Sequence, residues 1–565
     1  MTHLRQWGLL LSLAAGLFLC WPRDGRAQAV ETAVTPLLIG YIHDTQAQPV
    51  IGATVRALAD DDTVLAEIET QADGRFAILL PASIPDTITL QIHRAHFQQS
   101  EFPLTTDQIT TLHQGQPVSL ADIELQRRIT PAFWAATLIF VIILALIATN
   151  RLHNTLASLV GASVIFAISY LGPLLHEDLF IFNFSGALRY VDWNVIFLIM
   201  GMMIVIAVVE RTGVFQWAAF MAYRISGGRT WLLLPILMLI TGVASAFLDN
   251  VTTMLLMTPI TIQIALSLGL NPLALLMPEV MASNVVGIST LVGTPTNILI
   301  GSYAHISFND FLVNLTPGVL LSLVGLIIYS EVIYRHDLQA SSGGISELLL
   351  QRLAERGRIT QPGHLKKAGV VGLGMILLFV FGEHVHLLPA VTAVMGATAL
   401  LVWIKPDIEE MIEAVDWTTL VFFITLFICV GAVQEVGLIS FIATGIGQLV
   451  GTNLVLAMLA VLWLSALLST VIANIPFTAA MLPVIGFLTG SIPAAQSKAL
   501  YYCLSVGSAM GGNGSLIGAS ANMVTAGIAE RAGSSLTYAY FLKKGMPALF
   551  ITVGLAMIWL LLRFL

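Results

Sequence analysis

Charge is what this sequence has least of. Only 10% of its 565 residues are Asp, Glu, Lys or Arg, against roughly 25% in a soluble domain. Most of the chain is therefore built for a solvent that does not hydrate ions. The net charge of −8 says little, because the few charges lie in loops. No basic stripe runs along the chain, which excludes a nucleic-acid partner. Cysteine is nearly absent: Cys20, Cys429 and Cys503 offer neither a disulfide framework nor a zinc-type cluster. No metal centre or organic cofactor is expected. What is present instead is apolar, with 57% hydrophobic residues and a mean hydropathy of +0.86.

The first 29 residues have a basic start at Arg5, an apolar run from Leu9 to Leu19 and then Ala27-Gln28-Ala29. This reads as a secretory signal peptide cut after Ala29, with an uncleaved anchor as the alternative. Residues 30–128 are ordinary polar sequence. Short alternating segments such as Leu37–Ile42, Thr54–Leu58, Phe76–Leu80 and Ile88–Ile92 are separated by turn residues such as Asp73-Gly74, the pattern of a small β-sandwich. The order Gly40…Pro49-Val50-Ile51-Gly52-Ala53…Asp73-Gly74-Arg75-Phe76 resembles the carboxypeptidase regulatory-like domain, which implies a binding or structural module. No catalytic constellation stands here. His93 and His96 read as surface residues of one strand, since a zinc site needs three or four ligands.

From Ala132 the chain changes character. A spanning helix needs about 20 apolar residues. Candidate spans lie near 132–150, 156–175, 193–209, 273–300, 311–333, 368–383, 387–404, 417–433, 499–528 and 546–563. Two further apolar pairs, 231–248 with 251–268 and 454–472 with 475–488, are interrupted by Asp249-Asn250 and by Asn474. The signal peptide puts residues 30–128 outside. The inside loops then hold fourteen Lys and Arg residues and the outside segments five: Arg127, Arg128, Arg189, Lys498 and Arg563. This asymmetry holds only if each interrupted pair enters and leaves on one side, as a re-entrant hairpin does. Segment 211–226, with Phe215, Trp217 and Phe220 beside Arg211 and Arg224, reads as a helix in the inner interface.

The chain also repeats itself. Val191-Asp192-Trp193 returns as Val415-Asp416-Trp417, and the same shift of 224 takes Gly213 to Gly437, Asn250 to Asn474 and Pro259 to Pro483. A shift of 225 takes Ser283 to Ser508, Gly287 to Gly512, Leu291 to Leu516, Gly293 to Gly518 and Asn297 to Asn522. The span at 193–209 runs inward and its copy at 417–433 outward, so the halves are inverted. Inverted repeats with polar breaks at matching places point to a transporter whose site lies at the bilayer midplane.

The breaks supply the candidate site residues. A carboxylate at bilayer depth costs about 2.5–3.5 kcal/mol and is tolerated at a tip that is buried in protein or lines water. Asp249 can there bind Na⁺ or a proton, and Asn250, Thr252 and Thr253 add neutral oxygens suited to a hard cation. In Gly287–Asn297 the residues Thr294, Thr296 and Asn297 join them, and Na⁺ is expected at Asp249, Asn250 and Asn297. The second half answers with Asn474, Thr478, Asn513, Ser515, Ser520 and Asn522, but Ala473 stands where Asp249 does. Glu279, near the start of its broken span, is a candidate gate or proton relay. Asp192, Glu210 and Asp416 read as interfacial, and His384 and His386 as solvated loop residues. No His or Ser near Asp249 in sequence builds a nucleophile–base pair, so no enzyme is expected.

At Phe247-Leu248-Asp249-Asn250-Val251-Thr252-Thr253-Met254-Leu255-Leu256, and again over Gly511–Gly533 with Ile528-Ala529-Glu530-Arg531, the chain resembles an ion-transporter superfamily. That group includes the melanosomal P protein, arsenite permeases, D-type sodium/proton antiporters and divalent-anion/sodium symporters. The resemblance covers about 132–565. It implies an all-α polytopic membrane protein made of two inverted five-helix repeats, each with a re-entrant hairpin and a broken helix, and it implies a homodimer and elevator-type movement. The symporters of that group use a Ser-Asn-Thr hairpin signature for Na⁺. Here the signatures are Asp249-Asn250-Val251 and Ala473-Asn474-Ile475. The expected organisation is a signal peptide over 1–29, a periplasmic β-sandwich over 30–128, a first repeat over 132–333, a cytoplasmic linker over 334–367 and a second repeat over 368–565. The expected function is secondary transport across a bacterial inner membrane, coupled to Na⁺ or H⁺, with cation/proton exchange foremost. A small organic anion permease and an arsenite efflux permease are the alternatives within that class, and a membrane sensor using the outer domain is the alternative outside it.

Overall fold

A computed structural model of the chain describes residues 36–339 and 357–565, apart from 46, 47, 82, 150 and 228. The expected signal peptide over 1–29 and most of the middle of the linker over 334–367 lie outside the described residues. The chain divides into two compact units, one ending at Arg128 and the other Ile129–Leu565.

In the first unit, β1 (Leu37–Asp44), β2 (Thr54–Leu58), β4 (Arg75–Leu79) and β5 (Thr89–His93) bury every second residue, as a sheet with one covered face must. One sheet has the order β4-β1-β7, with β8 also on β1; the other has the order β3-β2-β5-β6. Here β3 is Val64–Glu69, β6 Ser100–Pro103, β7 Val118–Ser119 and β8 Ile123–Leu125. Leu38, Ile42, Val55, Phe76, Leu90 and Ile92 share one core. A short helix α1 (Thr106–His113) is closed by a Thr105/Gln108 capping box. Gly40 leaves room for the Phe76 ring, which a Cβ would meet at 2.5 Å. One expectation fails here. His96 is not a surface residue of the strand that carries His93: β5 ends at His93, and His96 lies beyond it, buried, at φ +66°. The chain has to reverse there, and the His96 carbonyl accepts from the Arg128 N–H at 2.8 Å.

The second unit is helical and shows the repeat directly. The first half runs α2 (Pro131–Ala148), α3 (Asn154–Leu171), α4 (Phe184–Arg189), α5 (Trp193–Glu210) and α6 (Val214–Ser226). The hairpin arms α7 (Thr230–Ser245) and α8 (Asn250–Ser267) follow, then a broken span of α9 (Leu273–Val286) and α10 (Pro295–Ala304), and finally α11 (Phe308–Tyr334). The second half answers element for element. It has α12 (Pro362–Phe381), α13 (Pro389–Ile404), α14 (Ile408–Glu413), α15 (Trp417–Glu435), α16 (Leu438–Val450), hairpin arms α17 (Leu454–Leu468) and α18 (Asn474–Ser491), broken span α19 (Ala499–Gly511) with α20 (Ser520–Arg531), and α21 (Tyr538–Phe564). Among the described residues nine helices are long and apolar enough to cross a membrane. Helices are the form required there, because lipid offers no partner to a backbone amide. Asp192 and Asp416, read from the sequence as interfacial, cap the N-termini of α5 and α15, accepting from Asn194 and Val195 and from Thr419 respectively. The last span of the second half begins at Tyr538, eight residues before the apolar run read at 546–563.

Contacts between the halves obey a pseudo-two-fold. Helix α5 packs on α13, and its copy α15 packs on α3, the counterpart of α13. Gly201 lets α5 approach, since a Cβ there would stand 2.8 Å from the Ala393 backbone. At the matching crossing Ser158 and Thr425 hydroxyls meet at 2.7 Å. Helices α11 and α21 cross each other, and Ser322 Oγ donates to the Thr552 carbonyl at 2.8 Å. The shift of 230 that relates Pro317 to Pro547 also relates Ser322 to Thr552, so that pair marks the axis. The second hairpin arms cross over likewise: α8 packs on α20 and α18 on α10.

Candidate functional site

Three hydrogen bonds recur at matching positions in the two breaks. In the first, Ser245 Oγ donates to the Ser283 carbonyl at 3.0 Å, the Thr290 hydroxyl to the Ala246 carbonyl, and the Gly293 N–H to Thr290 Oγ1 at 3.1 Å. In the second, Ser469 Oγ donates to the Ser508 carbonyl at 2.6 Å, the Ser515 hydroxyl to the Thr470 carbonyl, and the Gly518 N–H to Ser515 Oγ at 3.1 Å. These bonds fasten the hairpin tip to the unwound backbone. They also satisfy carbonyls that the break leaves without helical partners.

Asn297 and Asn522 close the two breaks. Asn297 Nδ2 donates to the Ile288 and Thr290 carbonyls at 2.9 and 2.7 Å. Asn522 Nδ2 donates to the Gly512 and Ser515 carbonyls at 2.7 and 2.9 Å. Both carboxamide oxygens are engaged from the opposite half: Asn297 Oδ1 accepts from Ser505 Oγ at 2.6 Å and Asn522 Oδ1 from Asn284 Nδ2 at 3.1 Å. Both residues were expected to orient ion or substrate; in the structure their amides bond the unwound backbone and the opposite half.

Asn284 is the centre that the sequence reading missed. It is 1% exposed. Its Nδ2 also donates to Asn513 Oδ1 at 3.0 Å, and its Oδ1 accepts from Asn250 Nδ2 at 2.8 Å. Asn513 in turn donates to the Met281 carbonyl at 3.3 Å. The expected residues Asn250, Asn513 and Asn522 are thus brought together, around a fourth amide. A polar residue at depth in an apolar helix was the available signal. In the second half Ala509 stands at the place of Asn284. Asn474, the copy of Asn250, is correspondingly buried and makes no side-chain hydrogen bond among the described residues.

Asp249 is half-buried at the first hairpin tip. It caps α8, with Oδ1 accepting from the Thr252 N–H at 2.9 Å and Oδ2 from Thr252 Oγ1 at 2.6 Å. Thr253 Oγ1 donates to the Asp249 carbonyl at 2.9 Å. No ion pair joins Asp249 to a basic residue among the described residues. Thr294 caps α10 through the Asn297 N–H at 3.3 Å and lies 3.1 Å from the Thr296 hydroxyl. Ala519, its counterpart, gives α20 no side-chain cap; beside it Ser520 is half-buried in the first turn. The Thr478 hydroxyl is buried without a partner. Glu279 is not near a helix end: it lies midway along α9, fully buried.

The described residues hold no group of three or more His, Cys, Asp or Glu side chains able to bind a metal. What the site offers is one carboxylate, a net of amides and the N-termini of two half-helices. Three comparisons bear on its identity. Residues 144–507 match the citrate transporter (CitMHS) family model. An uncharacterized transporter of Mycobacterium tuberculosis is 37% identical over 432 residues, covering 76% of this chain and 98% of that one. The human P protein is 30% identical over 528 residues, covering 79% of this chain and 62% of that one. The crystal structure of the Alcanivorax borkumensis YdaH transporter superposes with a TM-score of 0.49 at 14% identity, over 76% of this chain and 97% of that one. The family match takes in both hairpins and most of both halves, and on it the chain belongs to the citrate transporter family of multi-pass membrane transporters.

Proposed function

We propose that the chain is a secondary transporter that exchanges a cation for protons, with Asp249 binding the coupling Na⁺ or H⁺ and Asn250 and Thr252 completing its surroundings. The observation that carries this reading is a half-buried carboxylate at one hairpin tip with no cationic partner among the described residues, where the inverted copy has Ala473. A carboxylate at that tip gives a small cation a counter-charge, and folding of the tip does not require one, since the second hairpin turns at Ala473 without it. The hairpins and broken spans, knitted together by Asn284 and Ser505, move as one body against the α3–α15 and α5–α13 pairs, in the manner of an elevator. The protein works as a homodimer in a bacterial inner membrane, with the β-sandwich on the periplasmic side.

A second reading, carriage of a small organic anion, is favoured by the uncapped N-terminus of α20, because free amides at a helix start attract negative charge. Reconstituted vesicles with a trapped pH dye separate the two. Exchange predicts that an imposed Na⁺ gradient drives protons the other way. A gradient that moves no protons but drives uptake of a labelled dicarboxylate selects the anion reading.

A further inference from the structure

Between the first hairpin arm and the broken span lies a second acid that the exchange reading leaves unused. Glu279 is 0% exposed, as are Thr241 on α7 and Thr261 on α8. The Thr241 hydroxyl donates to Glu279 Oε1 at 2.6 Å. Among the described residues Glu279 Oε2 has no hydrogen-bond partner, and neither has the Thr261 hydroxyl.

The groups around it supply no counter-charge. α7 has no charged residue, and α8 has only its cap Asp249. The other elements packed on α9 are the turns Gly287–Ser289 and Gly512–Gly514, which have no titratable residue, and α11, α19, α20 and α21. Their charged residues are Asp310, Glu331, Glu530, Arg531, Lys543, Lys544 and Arg563, and their remaining titratable groups are Tyr329, Tyr334, Tyr501, Tyr502, Cys503, Tyr538 and Tyr540. None of them forms an ion pair or hydrogen bond with Glu279 among the described residues. Burying an ionised carboxylate without a counter-charge is unfavourable. A proton on Oε2 removes that cost and makes Oε2 a donor as well as an acceptor.

The inverted half serves as an internal control. The shift of 224 takes Thr241 to Ser465, and the shift of 225 takes Glu279 to Leu504. Leu504 is fully buried, and the Ser465 hydroxyl is left without a partner. The hairpin therefore seats on the broken span without an acid, and packing does not account for Glu279.

We propose that Glu279 is a second proton-carrying carboxyl of the transporter, separate from Asp249, held between hairpin arm α7–α8 and broken helix α9. Each cycle of this group takes one H⁺ from water and returns one. This deepens the ion-coupled reading and rests on it, but its test needs no transport substrate. Infrared spectra of the full-length protein in a detergent without ester groups at neutral pH read protonated carboxyls directly through their C=O stretch. The wild type and D249N are expected to show that band, and E279Q and E279L, each in the D249N background, are expected to lose it. Leucine at 279 reproduces the arrangement at Leu504, so it is the variant expected to fold best. Carbon-13 labelling of glutamate in D249N is expected to shift the band and needs no change at 279. No band in the wild type, a band that survives in D249N/E279Q, or one in D249N that ignores the label overturns the proposal. Any of these leaves the Asp249 reading untouched, since that reading stands or falls on ion flux in D249N.

Discussion

Asn284 in the first half donates to Oδ1 of Asn522 in the second, 3.1 Å away, and through this bond the broken span of one repeat holds the clamp of the other. The same amide holds Asn513 and Asn250. Two oppositely oriented halves are therefore joined at their polar breaks by side chains, in addition to the crossing of α11 and α21.

Replacing Asn284 with alanine copies the second half, which has Ala509, but strands three buried amides that Ala509 never served. Each unpaired buried polar group costs about 1–3 kcal/mol. N284A is therefore expected to lower the melting temperature in detergent clearly, and S505A, which strands only Asn297 Oδ1, to lower it less. Equal melting of N284A and wild type would show that the amide net does not hold the halves together.

Gly293 is packed against backbone alone. A Cβ there would stand 2.3 Å from the Gly287 carbonyl oxygen, 2.7 Å from that of Ser245 and 2.9 Å from that of Ala246. Its copy Gly518 meets Ser469 O at 2.9 Å, and Gly363 meets nothing within 4 Å. Overpacking costs about 1–3 kcal/mol, more where backbone must move. Thermal unfolding should therefore rank G293A as most damaging, G518A as intermediate and G363A as silent. A harmless G293A would mean that the hairpin tip is not seated on the break as described.

Each unit has a hydrophobic core of its own. Deletion of residues 30–128, with the leading segment kept, is expected to leave an inserted protein that still transports. Loss of transport by a deletion variant that remains folded in the membrane would instead give the N-terminal unit a sensing or coupling role.

Much of the helical unit was legible because lipid permits few solutions. Apolar runs of about twenty residues, the Lys and Arg asymmetry and the matched Asn and Pro positions led to two inverted halves, and the structure shows both. The breaks at 287–294 and 512–519 were legible from their Gly, Ser and Asn content. The roles of single amides were not. Asn297 and Asn522 look alike in sequence to Asn250, yet they bond backbone while Asn250 bonds Asn284, because side-chain roles depend on which helix of the other half lies opposite. Asn284 and Ser505 pair residues 208 to 238 positions apart, a separation that no local pattern encodes. His96 was misplaced for a related reason: alternation continues past His93, but the turn that ends β5 is fixed by the strand it must rejoin.

The most direct measurement is ion flux by D249N in proteoliposomes, beside wild-type protein of matched orientation and amount. The neutral amide keeps the shape of the carboxylate and its cap on α8 but removes the charge. Gradient-driven Na⁺/H⁺ exchange present in the wild type and absent in D249N is the predicted result. Exchange that continues undiminished in D249N would contradict the account.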